Sequence, residues 1–172
     1  PGMIATPGWA DPLLDTLESD ASVGAVAGKV ALMDGRIDHA GLALLRWREG
    51  TQPADRRILL TGRSLQAGKT LGSLVDERPL RVQTLGGEAI LVRTDAFTQV
   101  HGFDPGIGGA YRSDKAPAEG DPAGIDLCLR LGRKGWDRVY LPHSLMHRLR
   151  SPEAALPEPQ QADPSLVRLG EV

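Results

Sequence analysis

Asp126-Leu127-Cys128-Leu129-Arg130-Leu131, followed by Gly135-Trp136 and then Val139-Tyr140-Leu141-Pro142, is the stretch from which the fold can be read. Apolar residues at helical spacing give way to a glycine, then to a short apolar run closed by proline. That order predicts a short helix, a glycine stop and a buried strand. Asp126 suits a first helical turn and stands one turn before Arg130, the favourable order for an ion pair. Immediately upstream stands Ala123-Gly124, and the nearest preceding acids are Asp121 and Glu119.

Working outward, Trp9, Leu13, Leu14 and Leu17 share one apolar helical face, and Asp11-Pro12 fits a first turn. Val23 to Leu32 is a run of small and β-branched residues that predicts a strand buried on both faces. Asp34-Gly35 marks a tight turn, and Ile37 to Leu45 predicts a second strand. Residues 46–79 show weak periodicity and read as a long excursion with one short element at Arg57–Leu60. Val82 to Val92 predicts a strand region interrupted by Gly86-Gly87-Glu88. Thr94 is placed to cap a short helix, and His101 to Gly106 reads as a turn. Strands separated by helices, with one hairpin, predict an α/β layer around a mixed sheet. Residues 1–151 are read as one domain and 152–172, rich in proline, as a tail or linker.

The composition narrows the function classes. A length of 172 residues suits a single domain. The net charge of -2 gives no electrostatic case for nucleic acid. Cys128 is the single cysteine, so neither an internal disulfide nor a thiolate metal cluster can form within the chain. No apolar run reaches the ~18 residues of a membrane span, and the N-terminus lacks the pattern of a signal peptide. Position 1 is not Met, which suggests a piece of a longer protein. Gly68-Lys69-Thr70 does not make a phosphate loop, because the required glycine is displaced to Gly62.

The blocks Pro7-Gly8-Trp9, Val23-Gly24 with Gly28-Lys29, Asp34-Gly35-Arg36-Ile37-Asp38-His39-Ala40-Gly41, Gly87 with Leu91-Val92-Arg93 and Phe97, Gly102-Phe103-Asp104, Asp126 to Arg130, Gly135-Trp136, and Pro142 with His147 come in a specific order. In that order the chain resembles the acceptor-side, C-terminal half of a bacterial family 2 glycosyltransferase of the GT-A fold. The likeness spans about residues 6 to 151. It implies a partial GT-A mixed sheet with flanking helices. It also implies a parent enzyme that moves a sugar from a nucleoside diphosphate sugar to a glycan or other acceptor, in cell-surface polysaccharide synthesis. The implied partners are that donor and acceptor, the implied cofactor is a divalent Mg or Mn, and the implied location is cytoplasmic or peripheral at the inner membrane face. Most of the donor half of that family lies upstream of the matched blocks, and self-association through an exposed sheet edge is an expectation.

Inverting transfer needs a general base for the acceptor hydroxyl and positive charge for the leaving diphosphate. The resemblance puts the base in an acidic pair ahead of the helix, in a pattern like Glu-Asp-Val-Asp-Leu-Cys-Leu-Arg. Here Ala123-Gly124 fills that pair, and Asp126 matches the pattern's last Asp. Glu119 and Asp121 are the acids that would stand in, with a solvated acidic loop as the alternative. Asp126 is carried as a third candidate, against a structural role in the helix. The resemblance assigns His147 to the metal, with a surface histidine as the alternative. It places Gly87 and Glu88 near the acceptor and donor sugar, where the alternative is a β-bulge. Trp47 is a candidate for stacking on a sugar, and Asp104 for touching substrate or ordering its own loop. His39 is expected to pack or cap a strand end. With the acid pair replaced, the isolated chain is expected to be inactive. A non-catalytic glycan-binding or partner-docking module is the competing class, and an unrelated α/β binding domain the third.

Overall fold

The computed structural model describes residues 2–49, 57–73, 78–107 and 122–149, with the backbone alone described for 45–49 and 57–61. The described residues form a mixed α/β structure: a six-stranded sheet, a two-stranded ribbon and three α-helices.

Two long strands form the spine of the sheet. β2 (Val23–Leu32) and β8 (Asp137–Arg148) lie side by side and parallel. All ten residues of β2 are buried, as its small, double-sided composition predicts. Four shorter strands flank this pair, all antiparallel to their neighbours. β1 (Met3–Ala5) pairs with the end of β8, and β6 (Leu80–Arg81) with its beginning. β7 (Ile90–Val92) pairs with the first half of β2, and β3 (Ile37–His39) with its second half. The chain between β6 and β7 therefore passes from the β8 side of the sheet to the β2 side, carrying the buried Thr84 and Leu85 with it.

β8 departs from expectation. Pro142 suggested a strand end, yet β8 continues six residues beyond it to Arg148. Between the pairs Ala27↔Tyr140 and Lys29↔Leu145 the register jumps, so β8 bulges around Pro142 and keeps proline out of the ladder. The bulge lies tight against β2. A Cβ on Gly28 would stand 2.4 Å from Ser144 Oγ and 2.5 Å from the Ser144 carbonyl oxygen. Only glycine at 28 lets the two strands approach this closely.

Helix α1 (Asp11–Ser19) covers one face, with Pro12 in its first turn. Leu13 and Leu17 are buried with Val23, Val26, Val139 and Leu141, and Trp9 packs at the edge. Leu14, placed on the same face by its spacing, is 45% exposed, because the sheet contacts a narrower stripe of the helix. α2 (Thr94–Gln99) and α3 (Pro122–Arg133) cover the other face, burying Leu127, Cys128 and Leu131 against Ala25, Ala27, Leu85 and Tyr140. Each fully buried leucine contributes about 1.5–3 kcal/mol. Gly135, at φ 87°, ends α3 as expected.

Several local expectations change. Ile37–Leu45 is two strands, because the chain turns at Gly41 (φ 93°) between β3 and β4 (Leu42–Glu49). β5 (Arg57–Ser64) is twice the predicted element and pairs antiparallel with β4 as a ribbon. Residues ahead of Gly86 form only the two-residue β6, and Gly87–Ala89 is a 3₁₀ turn. Thr94 is the first helical residue of α2, and Arg93 holds the cap position with no side-chain cap bond. Among the described residues no helix is long and apolar enough to cross a membrane.

Candidate functional site

Segments from three distant parts of the chain meet beside the carboxyl ends of the parallel pair. β3 brings Asp38 and His39, the Gly86–Glu88 turn brings Glu88, and the last residue of β8 is Arg148. Arg148 Nη2 donates to Glu88 Oε1 at 2.6 Å, and Arg148 Nε lies 2.9 Å from Asp38 Oδ2. His39 Nε2 stands 3.5 Å from Glu88 Oε2, on the side of the carboxylate opposite Arg148. At that distance the imidazole contact is looser than a tight hydrogen bond, so Arg148 is the firmer partner.

The cluster is polar in a mostly buried setting. His39 is 4% exposed, and its Nδ1 has no hydrogen-bond partner among the described residues. The Glu88 side chain keeps 27% exposure. Burial pushes the Glu88 carboxyl up, but hydrogen bonding and charge from His39 and the hydrogen bond from Arg148 outweigh it and hold the pKa down at about 2. Glu88 is therefore an anion throughout the neutral range and a poor proton acceptor.

Gly86 is part of the construction. A Cβ there would stand 2.8 Å from Glu88 Oε2 and 2.9 Å from His39 Cε1. The resemblance placed this turn near the acceptor and donor sugar. At Gly86 the room is filled by the His39–Glu88 pair itself.

The other predicted residues fall elsewhere. Asp126 is the fifth residue of α3 rather than a first-turn acid, and it binds Arg130, with Oδ2 2.7 Å from Nε and 2.6 Å from Nη2. Arg130 in turn donates through Nη1 to the carbonyls of Val100 at 2.5 Å and Gly102 at 2.7 Å. A guanidinium thus closes the carbonyl end of α2, and Asp126 holds it there, a structural role. Asp104 accepts from the Gly106 N–H at 2.8 Å and orders its own turn. Gly87 opens the 3₁₀ turn that carries Glu88. Trp47 lies in β4, opposite Leu59 of β5. Glu119 and Asp121 lie outside the described residues, as does the tail. The predicted acid-pair position is inside α3: Gly124 is buried, and the first turn of the helix holds no acid.

His147 is half-buried and its Nδ1 has no hydrogen-bond partner among the described residues. Side chains alternate along a strand, so His147 points to the face opposite Arg148 and away from Glu88 and Asp38. Among the described residues no three His, Cys, Asp or Glu side chains are grouped to hold a metal ion. Without such a set the described residues do not fit the divalent metal that the resemblance implies.

The sequence singled out Glu88 but not Arg148 or Asp38, and His39 was expected to pack or cap a strand end. The available signal was the alternation along β8, which makes position 148, and not 147, the neighbour of position 88. No protein-family model and no curated protein matches the chain.

Proposed function

We propose that this chain is the acceptor-side part of a GT-A glycosyltransferase of the bacterial family 2 type. The parent reaction moves a sugar from a nucleoside diphosphate sugar to a glycan or other acceptor on the cytoplasmic side, in cell-surface polysaccharide synthesis. One observation carries the proposal: Asp38, His39, Glu88 and Arg148 converge beside the carboxyl ends of the only parallel strand pair among the described residues. Open α/β sheets bind their ligands at those ends.

The chemistry of the cluster suits a neutral polyol. A sugar presents adjacent hydroxyls that both donate and accept. Glu88 and Asp38 supply fixed acceptors, and Arg148 between them supplies donors on a planar fork. Glu88 stays ionised, so it accepts from a hydroxyl without taking its proton. It binds and orients a sugar. It is not a base.

Deprotonation of an acceptor needs a separate carboxylate, and the helix position the family uses holds Ala123 and Gly124. The isolated chain is therefore expected to bind sugar without transferring it. That same substitution favours a second class, a glycan-binding module with no chemistry of its own. The two share the binding site and differ in whether the parent protein transfers sugar. Saturation-transfer NMR with a panel of methyl glycosides tests the shared claim: contact to at least one glycoside that Glu88→Gln abolishes supports it, and no contact to any refutes it.

A further inference from the structure

The face of the sheet opposite the Glu88 cluster carries a second polar pair. Beyond Ala25, the extra residues at each irregularity lie on the partners of β2. β8 passes from Tyr140 to Leu145 while β2 passes from Ala27 to Lys29, and β3 inserts Asp38 opposite the Val30–Ala31 step. β2 itself therefore alternates regularly, and Ala25, Ala27, Lys29 and Ala31 project to one side. Ala25 and Ala27 pack under α2 and α3, and Lys29 and Ala31 continue that face towards the carboxyl end of the strand. His147 is the ladder partner of Ala31 and shares its face. Lys29 and His147 are thus diagonal neighbours on adjacent strands, within reach of a lysine side chain.

Lys29 is 5% exposed, yet among the described residues its ammonium has no hydrogen bond and no ion pair. A lysine buried to this extent is ordinarily paired, because a desolvated charge without a partner is costly. The buried Nδ1 of His147 likewise has no hydrogen-bond partner among the described residues. No described acid answers the pair. Glu88 and Asp38 are bonded to Arg148, which alternation puts on the other face. Asp126 is bonded to Arg130, and the first turn of α3, the helix that covers this face, holds no acid.

We propose that Lys29 and His147 bind a small oxyanion, a phosphate or carboxylate group brought by a ligand. Such a group supplies the negative charge that Lys29 lacks, and its several oxygens accept from the ammonium and from an imidazole N–H at once. The two donors come from the two long parallel strands, the most rigid frame the sheet offers. The site lies on the opposite face from the Glu88 cluster and stands without the sugar reading.

The test is isothermal titration calorimetry of the chain with inorganic phosphate and, separately, with acetate, at ionic strength fixed with chloride. Saturable binding of at least one probe is expected, and the two arms separate a phosphoryl from a carboxylate ligand. Lys29→Met keeps the apolar stem and should weaken binding about tenfold or more, since it removes a charge-assisted hydrogen bond. His147→Gln should weaken it as well, with the fold of both variants checked by circular dichroism. A urea midpoint measured without either probe supplies a second readout. Lys29→Met should hold or raise it, because the charge removed has no partner in the free chain. Binding of neither probe, or binding that survives either substitution, overturns the proposal. So does a fall in that midpoint, which would show that the chain already pairs Lys29 itself.

Discussion

Arg148, the last residue of β8, donates to Glu88 at 2.6 Å and so ties the end of the sheet to the turn that precedes β7. This bond, with Asp38 on the same guanidinium and His39 on the other carboxylate oxygen, closes the sheet end around one anion.

Removing that anion exposes its contribution. Glu88→Gln removes one carboxylate partner of Arg148 and is expected to cost about 1–3 kcal/mol at neutral pH, read as a lower urea midpoint. The pH dependence has a definite sign. The Glu88 carboxyl is held at about 2 in the fold against an ordinary value of 4.5, so its contribution is complete above 4.5 and is lost as pH falls towards 2. The stability gap between the native chain and Glu88→Gln should therefore narrow over that interval. A gap constant from neutral pH down to 3, roughly the middle of the window, would contradict the pairing.

Two glycines give a paired prediction. Gly86→Ala puts a methyl group against movable ends, Glu88 Oε2 and the His39 ring, whereas Gly28→Ala drives one into the Ser144 backbone. Overpacking typically costs about 1–3 kcal/mol. Gly28→Ala is expected at or above the top of that range and Gly86→Ala lower, by thermal or chemical unfolding. The reverse order would show that the bulge of β8 yields more readily than the cluster.

Asp126 is expected to act on the turn after α2 rather than on chemistry. Asp126→Asn weakens the hold on Arg130, which caps the Val100 and Gly102 carbonyls. Amide exchange should rise over residues 100–107 while glycoside contact at Glu88 is unchanged. Loss of glycoside contact with unaltered exchange would restore Asp126 as a site residue.

The isolated 172-residue chain is expected to show neither sugar transfer nor hydrolysis of nucleoside diphosphate sugars. Its reason is chemical: the helix position that the proposed family uses for the base carries Ala123 and the buried Gly124. Measured turnover by the purified chain, absent from a mock purification, would overturn this.

The elements that could be read from the sequence are those whose signal is local. β2 declares itself by small residues buried on both faces, α3 by its apolar spacing and Gly135 by its place after that helix. What was missed depends on partners distant in the chain. β5 exists because β4 pairs with it, and β8 outlasts Pro142 because Gly28 leaves room for a bulge. The same holds at the site. Glu88 was legible from the glycines before it, but Asp38 and Arg148 became partners only through the register of β3 and β8 on β2. His147 was the sequence's candidate, while its neighbour Arg148 is the residue that contacts Glu88.

The central claim is that the Glu88–Arg148 end of the sheet holds a sugar. Saturation-transfer NMR with methyl glycosides on the native chain, on Glu88→Gln and on Arg148→Met tests it most directly. The predicted result is transfer to ring protons of at least one glycoside in the native chain, lost in both variants while circular dichroism stays native. Transfer to no glycoside, or transfer that persists in both variants, would contradict it.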